Sequence, residues 1–161
     1  MSKIFIASDH AGFALKDVLI ERIRALGHDV EDMGAASYKE DDDYPDFMTP
    51  AAKKVASSPG ALGIIIGGSG QGEAMCANRV PGARAAVFYG PMRVTSALNI
   101  EGDHSEDGYD TVRLPRLHND ANILSIGARF VSEDQAHEAV RIFLETPFSG
   151  IPRHSRRLAK F

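Results

Sequence analysis

The sequence predicts an α/β fold in which parallel strands lie between layers of helices. Short apolar runs at residues 3–8, 61–67 and 121–127 each end in glycine or polar residues, and each is followed by a segment with helical spacing. Runs of this kind are typical of strands that are buried on both faces. With 161 residues, 43% of them apolar and 25% charged, the chain is long enough for one sizeable core. We therefore expect a single domain over residues 1–161.

Charge, cysteine content and hydropathy argue against several classes of protein. The formal net charge is −4, whereas general nucleic-acid binders usually carry a large positive excess. The single cysteine permits no disulfide within the chain. The sequence shows neither a basic and apolar leader at its N-terminus nor an apolar run long enough to span a membrane. We expect a cytoplasmic protein that binds neither nucleic acid nor membrane.

The first part of the chain predicts a βαβ unit. The strand at 3–8 is followed by apolar residues at mostly three- and four-residue intervals over 13–26, and Gly27 is placed to end that helix. Residues 28–34 predict a second, shorter strand. The acidic run at 40–43 indicates a solvated loop, with a cation site as the less favoured alternative.

Further helices and strands alternate beyond this unit. A helix with Pro45 in its first turn is expected to run to about Ser57. After the central strand at 61–67 and its helix, residues 84–88 predict a fourth strand, and residues 91–98 predict a short helix.

The last part of the chain begins with a polar stretch at about 100–117, which predicts a long surface loop, either a functional lid or a partly disordered segment. Residues 121–127 predict the fifth strand. Ser132 and Gln135 form a capping-box pattern at the start of the last long helix. A basic tail follows at 146–161.

A glycine-dense turn follows the central strand and is the most distinctive feature of the sequence. Glycines lack the Cβ atoms that would keep a small anion away from the backbone, and a following helix would direct free N–H groups towards it. The glycines of this turn are Gly67, Gly68, Gly70 and Gly72. We expect an anion-binding loop.

Glu73 excludes the two nucleotide-binding motifs that this turn resembles. A dinucleotide fingerprint starting at Gly68 and Gly70 needs a third small residue at position 73, and a P-loop through Gly67 and Gly72 needs a lysine there. A carboxylate stands there instead, beside N–H donors suited to an oxyanion. This pairing favours abstraction of a proton next to a carbonyl group, with Glu73 as the base. The alternative is that Glu73 only complements the helix dipole, which is worth about 0.3–1 kcal/mol.

Several short motifs, spread over nearly the whole chain, resemble those of one enzyme family. They are Ser8-Asp9-His10-Ala11-Gly12, Asp43-Tyr44-Pro45, residues 67–72, Ala77-Asn78-Arg79, His118-Asn119-Asp120, Gly127-Ala128-Arg129 and Arg153-His154-Ser155-Arg156-Arg157. The family is type B ribose-5-phosphate isomerase, which also contains allose-6-phosphate and galactose-6-phosphate isomerases.

The resemblance implies a flavodoxin-like three-layer sandwich with five parallel strands and neither cofactor nor metal. It also implies a homodimer with shared active sites, or a tetramer built from it. The implied reaction interconverts an aldose and a ketose phosphate through a cis-enediolate, most directly D-ribose 5-phosphate and D-ribulose 5-phosphate. Another C4 or C6 sugar phosphate (tetrose, allose or galactose 6-phosphate) remains an alternative. So does a flavodoxin-like protein that binds a phosphate or nucleotide without chemistry.

The resemblance also implies roles for individual residues. His118 would assist opening of the sugar ring, with Asp9 near the ring or carbonyl oxygens. Ser69, Asn78 and the backbone amides of the glycine turn would stabilise the enediolate. Guanidinium groups suit a phosphate, which they can bind through two hydrogen bonds. The remaining substrate and phosphate contacts implied by the motifs are His10, Tyr44, Gly68, Gly70, Gly72, Asn119, Arg129, Arg153 and Arg157.

The chain departs from the family pattern in two places. Many members have a cysteine at the position of Gly67 as the base, but a second branch lacks it and carries Gly-Glu after the turn, with the glutamate as base. Gly72-Glu73 matches that branch, while Cys76 lies within the helix and is not given the cysteine's role. The segment at about 100–113, just before the ring-opening histidine, is longer than in the family. It could cover the pocket, extend the dimer interface or shift the preferred sugar.

Overall fold

The computed structural model, which describes residues 1–98 and 105–160, contains a sheet of five parallel strands. The strands are β1 (Lys3–Ser8), β2 (Asp29–Asp32), β3 (Leu62–Gly67), β4 (Ala85–Phe88) and β5 (Ile123–Gly127). Their order in the sheet is β2-β1-β3-β5-β4. The predicted α/β sandwich with five parallel strands is confirmed. Its last two strands are exchanged relative to the order 2-1-3-4-5 of flavodoxin itself.

The two faces of the sheet are covered by different helices. The helices are α1 (Phe13–Ala25), α2 (Pro45–Ser57), α3 (Gln71–Ala77), α4 (Asp110–Asn119), α5 (Glu133–Glu145) and α6 (Pro152–Leu158). Strand residues alternate between two cores: Ile4 and Ile6 pack under α1, α4 and α5, whereas Phe5 and Ala7 pack under α2. No helix in the described part of the chain is both long and apolar enough to cross a bilayer.

Local signals in the sequence end and begin these helices as expected. Gly27 follows α1 with φ at +86°, a conformation that glycine adopts without strain. Ser132 and Gln135 form both hydrogen bonds of the predicted capping box at the start of α5. Pro45 is the first residue of α2, where its missing N–H is not needed.

Two predictions for the region after β4 are wrong. Residues 91–98 form no helix; the Met92 N–H instead donates to the Gly108 carbonyl at 2.8 Å, in the segment before the next helix. The long loop predicted to reach residue 117 ends earlier, since α4 begins at Asp110. Tyr109 is only 8% exposed and stacks on Phe88, with ring centroids 5.7 Å apart.

Residues 99–104 of that predicted loop lie outside the described residues. The predicted basic tail contains α6, so that Arg153 and Arg157 lie one helical turn apart.

The topology locates a crevice at the C-terminal ends of β1 and β3. The chain leaves β1 towards β2 on one side of the sheet and leaves β3 towards β4 on the other. Ligands of open parallel sheets bind in the crevice at such a reversal of direction. We call this side of the sheet, which carries Asp9, the glycine turn and Glu73, the glycine-turn edge.

Candidate active site

Asp9 directly follows β1 and is fixed by the turn that it begins. Its side chain accepts hydrogen bonds through Oδ1 from the N–H groups of Ala11, at 2.9 Å, and Gly12, at 3.2 Å. The residue is only 5% exposed. Both bonds use the same oxygen, so they hold the carboxylate rigidly and leave Oδ2 free of these contacts.

Glu73, in the first turn of α3, is a second buried carboxylate at this edge. It is 4% exposed, and its Oε2 atom has no hydrogen-bond partner in the part of the chain that the structure describes. Burial is the main cause that raises the pKa of Glu73, and the charge of Asp9 raises it further. The N–H groups of Glu73 and Gly70 and the charge of Arg129 act in the opposite direction. A carboxylate with a raised pKa is a stronger base than a solvated one.

Gly67 is required by the position of Glu73. A Cβ atom at residue 67 would lie 1.9 Å from Oε1 of Glu73 and 2.2 Å from its Cδ. The carboxylate thus fills the space that a side chain at residue 67 would occupy. A cysteine side chain at 67 and the Glu73 carboxylate would therefore compete for the same space.

Side chains from two other parts of the chain lie against the glycine turn. The Tyr44 ring lies against Gly72, where an added Cβ would be 2.9 Å from the phenol oxygen. The Arg129 guanidinium lies against Gly68, at 3.2 Å from such a Cβ. Ser69 is exposed, and its hydroxyl accepts a hydrogen bond from the Gln71 N–H at 3.2 Å.

Gly70 has φ at +75° and precedes α3 directly. A Cβ atom there would meet the Gly127 nitrogen at 3.1 Å, so a close backbone approach also requires glycine. The Gly70 carbonyl accepts a hydrogen bond from the Ser125 hydroxyl at 2.7 Å, which ties the turn to β5.

His10 is held by Asp42, a residue that the sequence interpretation missed. The acidic run was expected to be solvated, but the Asp42 side chain is only 6% exposed. Its Oδ1 lies 2.7 Å from Nδ1 of His10. Ligand atoms of Asp9, His10 and Asp42 lie within 4.8 Å of one another, close enough to hold a cation. Nδ1 of His10 and Oδ1 of Asp42 are, however, already engaged with each other in a hydrogen bond.

A separate group of basic side chains lies between α4 and α6. We call His118, Arg153, His154 and Arg157 the α4–α6 cluster. The His118 and His154 rings are 4.2 Å apart, and burial together with the neighbouring cations lowers the pKa of both. His154, which the sequence interpretation did not select, is 2% exposed. Its Nδ1 lies 2.9 Å from the Ser149 hydroxyl, and its Nε2 accepts a hydrogen bond from Nε of Arg153 at 3.2 Å.

The α4–α6 cluster lies at the opposite edge of the sheet from Glu73. Gly67 pairs with Gly127 at the glycine-turn edge, whereas Gly63 pairs with Ile123 at the other edge, directly after α4 ends. Five strand residues at about 3.3 Å each separate the two edges by on the order of 15 Å. Within one chain, His118 and Glu73 therefore do not meet.

Asn78 and Asn119 also belong to the far edge. Both line a depression of about 460 Å³ beside β4. The Asn78 amide donates to the Ala85 carbonyl at 3.0 Å and accepts from the Ala85 N–H at 2.7 Å. The seven residues of α3 place it about 10 Å from the glycine turn. Its side chain binds the start of β4 and does not contact the turn around Ser69.

Fold and site together define an α/β protein with a glycine-rich turn and a buried, incompletely paired carboxylate at the C-terminal ends of its strands. The chain belongs to the Ribose/Galactose Isomerase family, whose sequence model matches residues 4–101 and 107–161. Residues 102–106, between the matched segments, fall within the stretch that the sequence analysis expects to be longer than in the family.

Curated relatives agree with this assignment. Ribose-5-phosphate isomerase B of Mycolicibacterium paratuberculosis is 40% identical over 156 residues, which cover 97% of this chain and 87% of the relative. Probable ribose-5-phosphate isomerase B of Mycoplasma genitalium is 38% identical, over 98% of this chain and 91% of the relative.

Solved structures show the same similarity. Ribose-5-phosphate isomerase B of Mycoplasma genitalium with bound ribulose-5-phosphate has a TM-score of 0.83 at 36% identity, covering 98% of this chain and 92% of that one. Type B ribose 5-phosphate isomerase of Trypanosoma brucei has the same TM-score at 32% identity, covering 99% and 96%.

Proposed function

We propose that the chain is an aldose–ketose isomerase that interconverts D-ribose 5-phosphate and D-ribulose 5-phosphate. The observation that carries this proposal is Glu73, a buried carboxylate with one unpartnered oxygen that fills the space next to Gly67. A family member without the cysteine needs its base at this point. Two relatives named for this reaction, and one similar structure with bound ribulose-5-phosphate, support the pentose phosphate as substrate.

The proposed reaction moves one proton between two carbons. His118 assists ring opening by transferring the proton of the C1 hydroxyl to the ring oxygen, which yields the aldehyde. The Glu73 carboxylate then takes the proton from C2, and the electron pair forms the C1–C2 double bond of the enediolate. The carboxylic acid returns this proton to C1 while a proton moves from O2 to O1 and C2 becomes the ketone.

The charges that develop need fixed partners. Ser69 and the amides of the glycine turn stabilise the enediolate oxygens, as hydrogen-bond donors do at other oxyanion sites. Arg129, Arg153 and Arg157 bind the phosphate together with His10.

We further propose that the active form is a homodimer with shared sites. The base and the ring-opening histidine lie at opposite edges of one sheet, whereas the atoms on which they act are only a few bonds apart in the sugar. A second chain that docks its α4–α6 cluster against the glycine-turn edge would bring them together. Sugar phosphates are charged metabolites that membranes retain inside the cell, so we also propose a cytoplasmic location.

Replacement of Glu73 by glutamine tests the proposed function. Ribose 5-phosphate in deuterated water should gain deuterium on isomerisation by the wild-type protein. Glu73→Gln should fold but lose about 10²–10⁴ in rate, because an amide cannot accept the proton. Cys76→Ala, three residues further along α3, is the control and should keep its activity. Near-normal turnover by Glu73→Gln, or inactivity of the wild-type protein, would contradict the proposal.

A further inference from the structure

The contact between Asp42 and His10 joins the connection before α2 to the end of β1. Oδ1 of Asp42 accepts a hydrogen bond from the His10 backbone N–H at 3.1 Å and lies 2.7 Å from Nδ1 of the same residue. The Asp42 side chain is 6% exposed, and that of His10 is 27% exposed. Because both contacts end on one oxygen, they fix the ring relative to its own backbone. Nε2 is then the ring nitrogen that remains to face a ligand.

The short distance determines where the ring carries a proton. Two atoms that can only accept hydrogen bonds do not approach to 2.7 Å, so Nδ1 carries a hydrogen when Asp42 is ionised. Nε2 is then either a lone pair, in the neutral ring, or an N–H, in the imidazolium. A fully ionised phosphate accepts hydrogen bonds and does not donate them, so it binds Nε2 only when the ring is an imidazolium.

The charged groups around His10 favour that cation. The hydrogen bond to Asp42 is the main cause that raises the pKa of His10, and the charges of Asp9 and Asp42 act in the same direction. Burial of the ring and the charge of Arg129, beyond the end of β5, act against this and lower the pKa. Glu73, on α3, interacts with Asp9 and Arg129. Two acids at the ring thus favour its charged form, and one arginine disfavours it.

We propose that Asp42 is a positioning residue that holds His10 as an imidazolium, with its Nε2–H directed at the phosphate of the sugar substrate. This inference rests on the proposed function, which puts the phosphate against His10. In the described part of the chain, the second Asp42 oxygen is buried without a hydrogen-bond partner. A buried acceptor left without a partner lowers stability. Local arrangements that lower stability are expected at functional sites.

The test compares Asp42→Asn with Asp41→Asn. Both changes remove one negative charge from the same segment, but Asp41 is exposed and makes no contact of this kind. NMR titration of the His10 ring should give a lower pKa in Asp42→Asn than in Asp41→Asn. As pH is raised from about 6 to about 8.5, the KM of Asp42→Asn for ribose 5-phosphate should rise about tenfold. A rise of this size is expected when a charge-assisted hydrogen bond is lost. Its kcat should change much less, and KM of Asp41→Asn should follow the wild type.

His10→Gln separates positioning from a general loss of structure. If Asp42 acts through His10, then adding Asp42→Asn to His10→Gln should leave KM unchanged at every pH. An equal rise of KM in both backgrounds, or the same His10 pKa in Asp42→Asn and Asp41→Asn, would overturn the inference.

Inorganic phosphate distinguishes this inference from the proposed function. It should raise the pKa of His10 in the wild type and in Asp41→Asn, and should do so less in Asp42→Asn, whether or not the protein isomerises ribose 5-phosphate. An equal effect of phosphate on all three proteins would count against the role of Asp42. Absence of isomerisation by the wild type would count against the proposed function alone.

Discussion

The two edges of the sheet carry opposite kinds of chemistry. The glycine-turn edge concentrates the buried carboxylates of Asp9, Asp42 and Glu73, and burial raises the pKa of Glu73. The other edge holds the α4–α6 cluster of two histidines and two arginines, where burial and the neighbouring cations lower the pKa of His118. One edge thus contains a strengthened base and the other a histidine that stays neutral at a lower pH than usual.

The difference between the edges means that neither edge carries both groups of the proposed mechanism. Proton transfer between carbons needs the base, and ring opening needs a group that both donates and accepts, as a neutral imidazole does. Acidic and basic surfaces that face each other across an interface also favour association in one orientation. Within one chain the proposed base, Glu73, and the proposed ring-opening histidine, His118, are separated. A dimer in which the two edges face each other would bring them together.

Adding a side chain at Gly67 should have the largest effect on the glycine-turn edge. Gly67→Ala places a Cβ 1.9 Å from the Glu73 carboxylate. The carboxylate ends a flexible side chain and can move, so the fold should persist while the rate falls by about 10²–10³, as for loss of a general base. The measurement is kcat for ribose 5-phosphate with the melting temperature as control.

A paired change extends this test. Gly67→Cys combined with Glu73→Ala should leave space for the thiol and recover part of the rate that Gly67→Cys alone loses. Full activity of Gly67→Ala, or unfolding of it, would show that the contact with Glu73 does not matter in the way that we infer.

The region before α4 should divide into a dispensable and an anchored part. Arg113 binds Asp107 at 2.5 Å, and Tyr109 packs on Phe88. Replacing residues 101–110 by a Gly-Ser link should therefore cost about 3 kcal/mol or more, since it removes a buried aromatic ring. Replacing only 101–104 keeps both of these contacts and should therefore cost much less stability.

The same pair of variants tests which edge the segment serves. The chain leaves β4 at the glycine-turn edge, and α4 carries it to His118 at the other edge. A residue that is near His118 in sequence is therefore not necessarily near it in the folded chain. The shorter replacement should alter the ratio of kcat/KM among C4, C5 and C6 sugar phosphates. Equal stability of the two variants, or an unchanged ratio, would contradict this division.

Glu73→Gln should stabilise the protein in a pH-dependent way. The folded-state pKa of Glu73 is raised above its ordinary value of 4.5, so ionisation destabilises the fold as pH rises from that value through the folded-state pKa. Above this range the variant should be more stable by about 1.4 kcal/mol for each pH unit between the two pKa values, because the amide carries no charge for burial to penalise. Below the ordinary value the carboxyl is protonated in both states, and the difference should vanish. Urea unfolding at both extremes measures it, and a difference independent of pH would show that charge burial is not the cause.

The sequence predicted the glycine-turn edge better than the other one. The strand, the glycines and Glu73 lie within a dozen residues, so their spacing alone shows that they meet. Asp42 was missed because its burial depends on a partner 32 residues away. An acidic run also has no periodicity from which burial of one member could be predicted. His154 was missed because it stands among the arginines of the basic tail, where nothing in the sequence predicts its burial.

The separation of the proposed site residues between the two edges could have been predicted from the sequence, but the sequence analysis did not predict it. A helix that leads into a parallel strand ends at the N-terminal edge of the sheet, so α4 had to place His118 and Asn119 away from the glycine turn. The helix itself was missed because the stretch from 105 to 117 contains few apolar residues. Tyr109 and Val112, which bind it to the core, are too few to produce a helical pattern.

Mixed dimers test the central claim that the two edges of different chains form one site. Subunits with Glu73→Gln and His118→Ala are each expected to be inactive as homodimers. In a purified heterodimer one shared site carries both defects and the other carries neither, so half of the wild-type activity should return. Heterodimers of Glu73→Gln with Asp9→Asn, whose defects both lie at the glycine-turn edge, should stay inactive because each site keeps one defect. A Glu73→Gln/His118→Ala heterodimer as inactive as its parents would contradict the account.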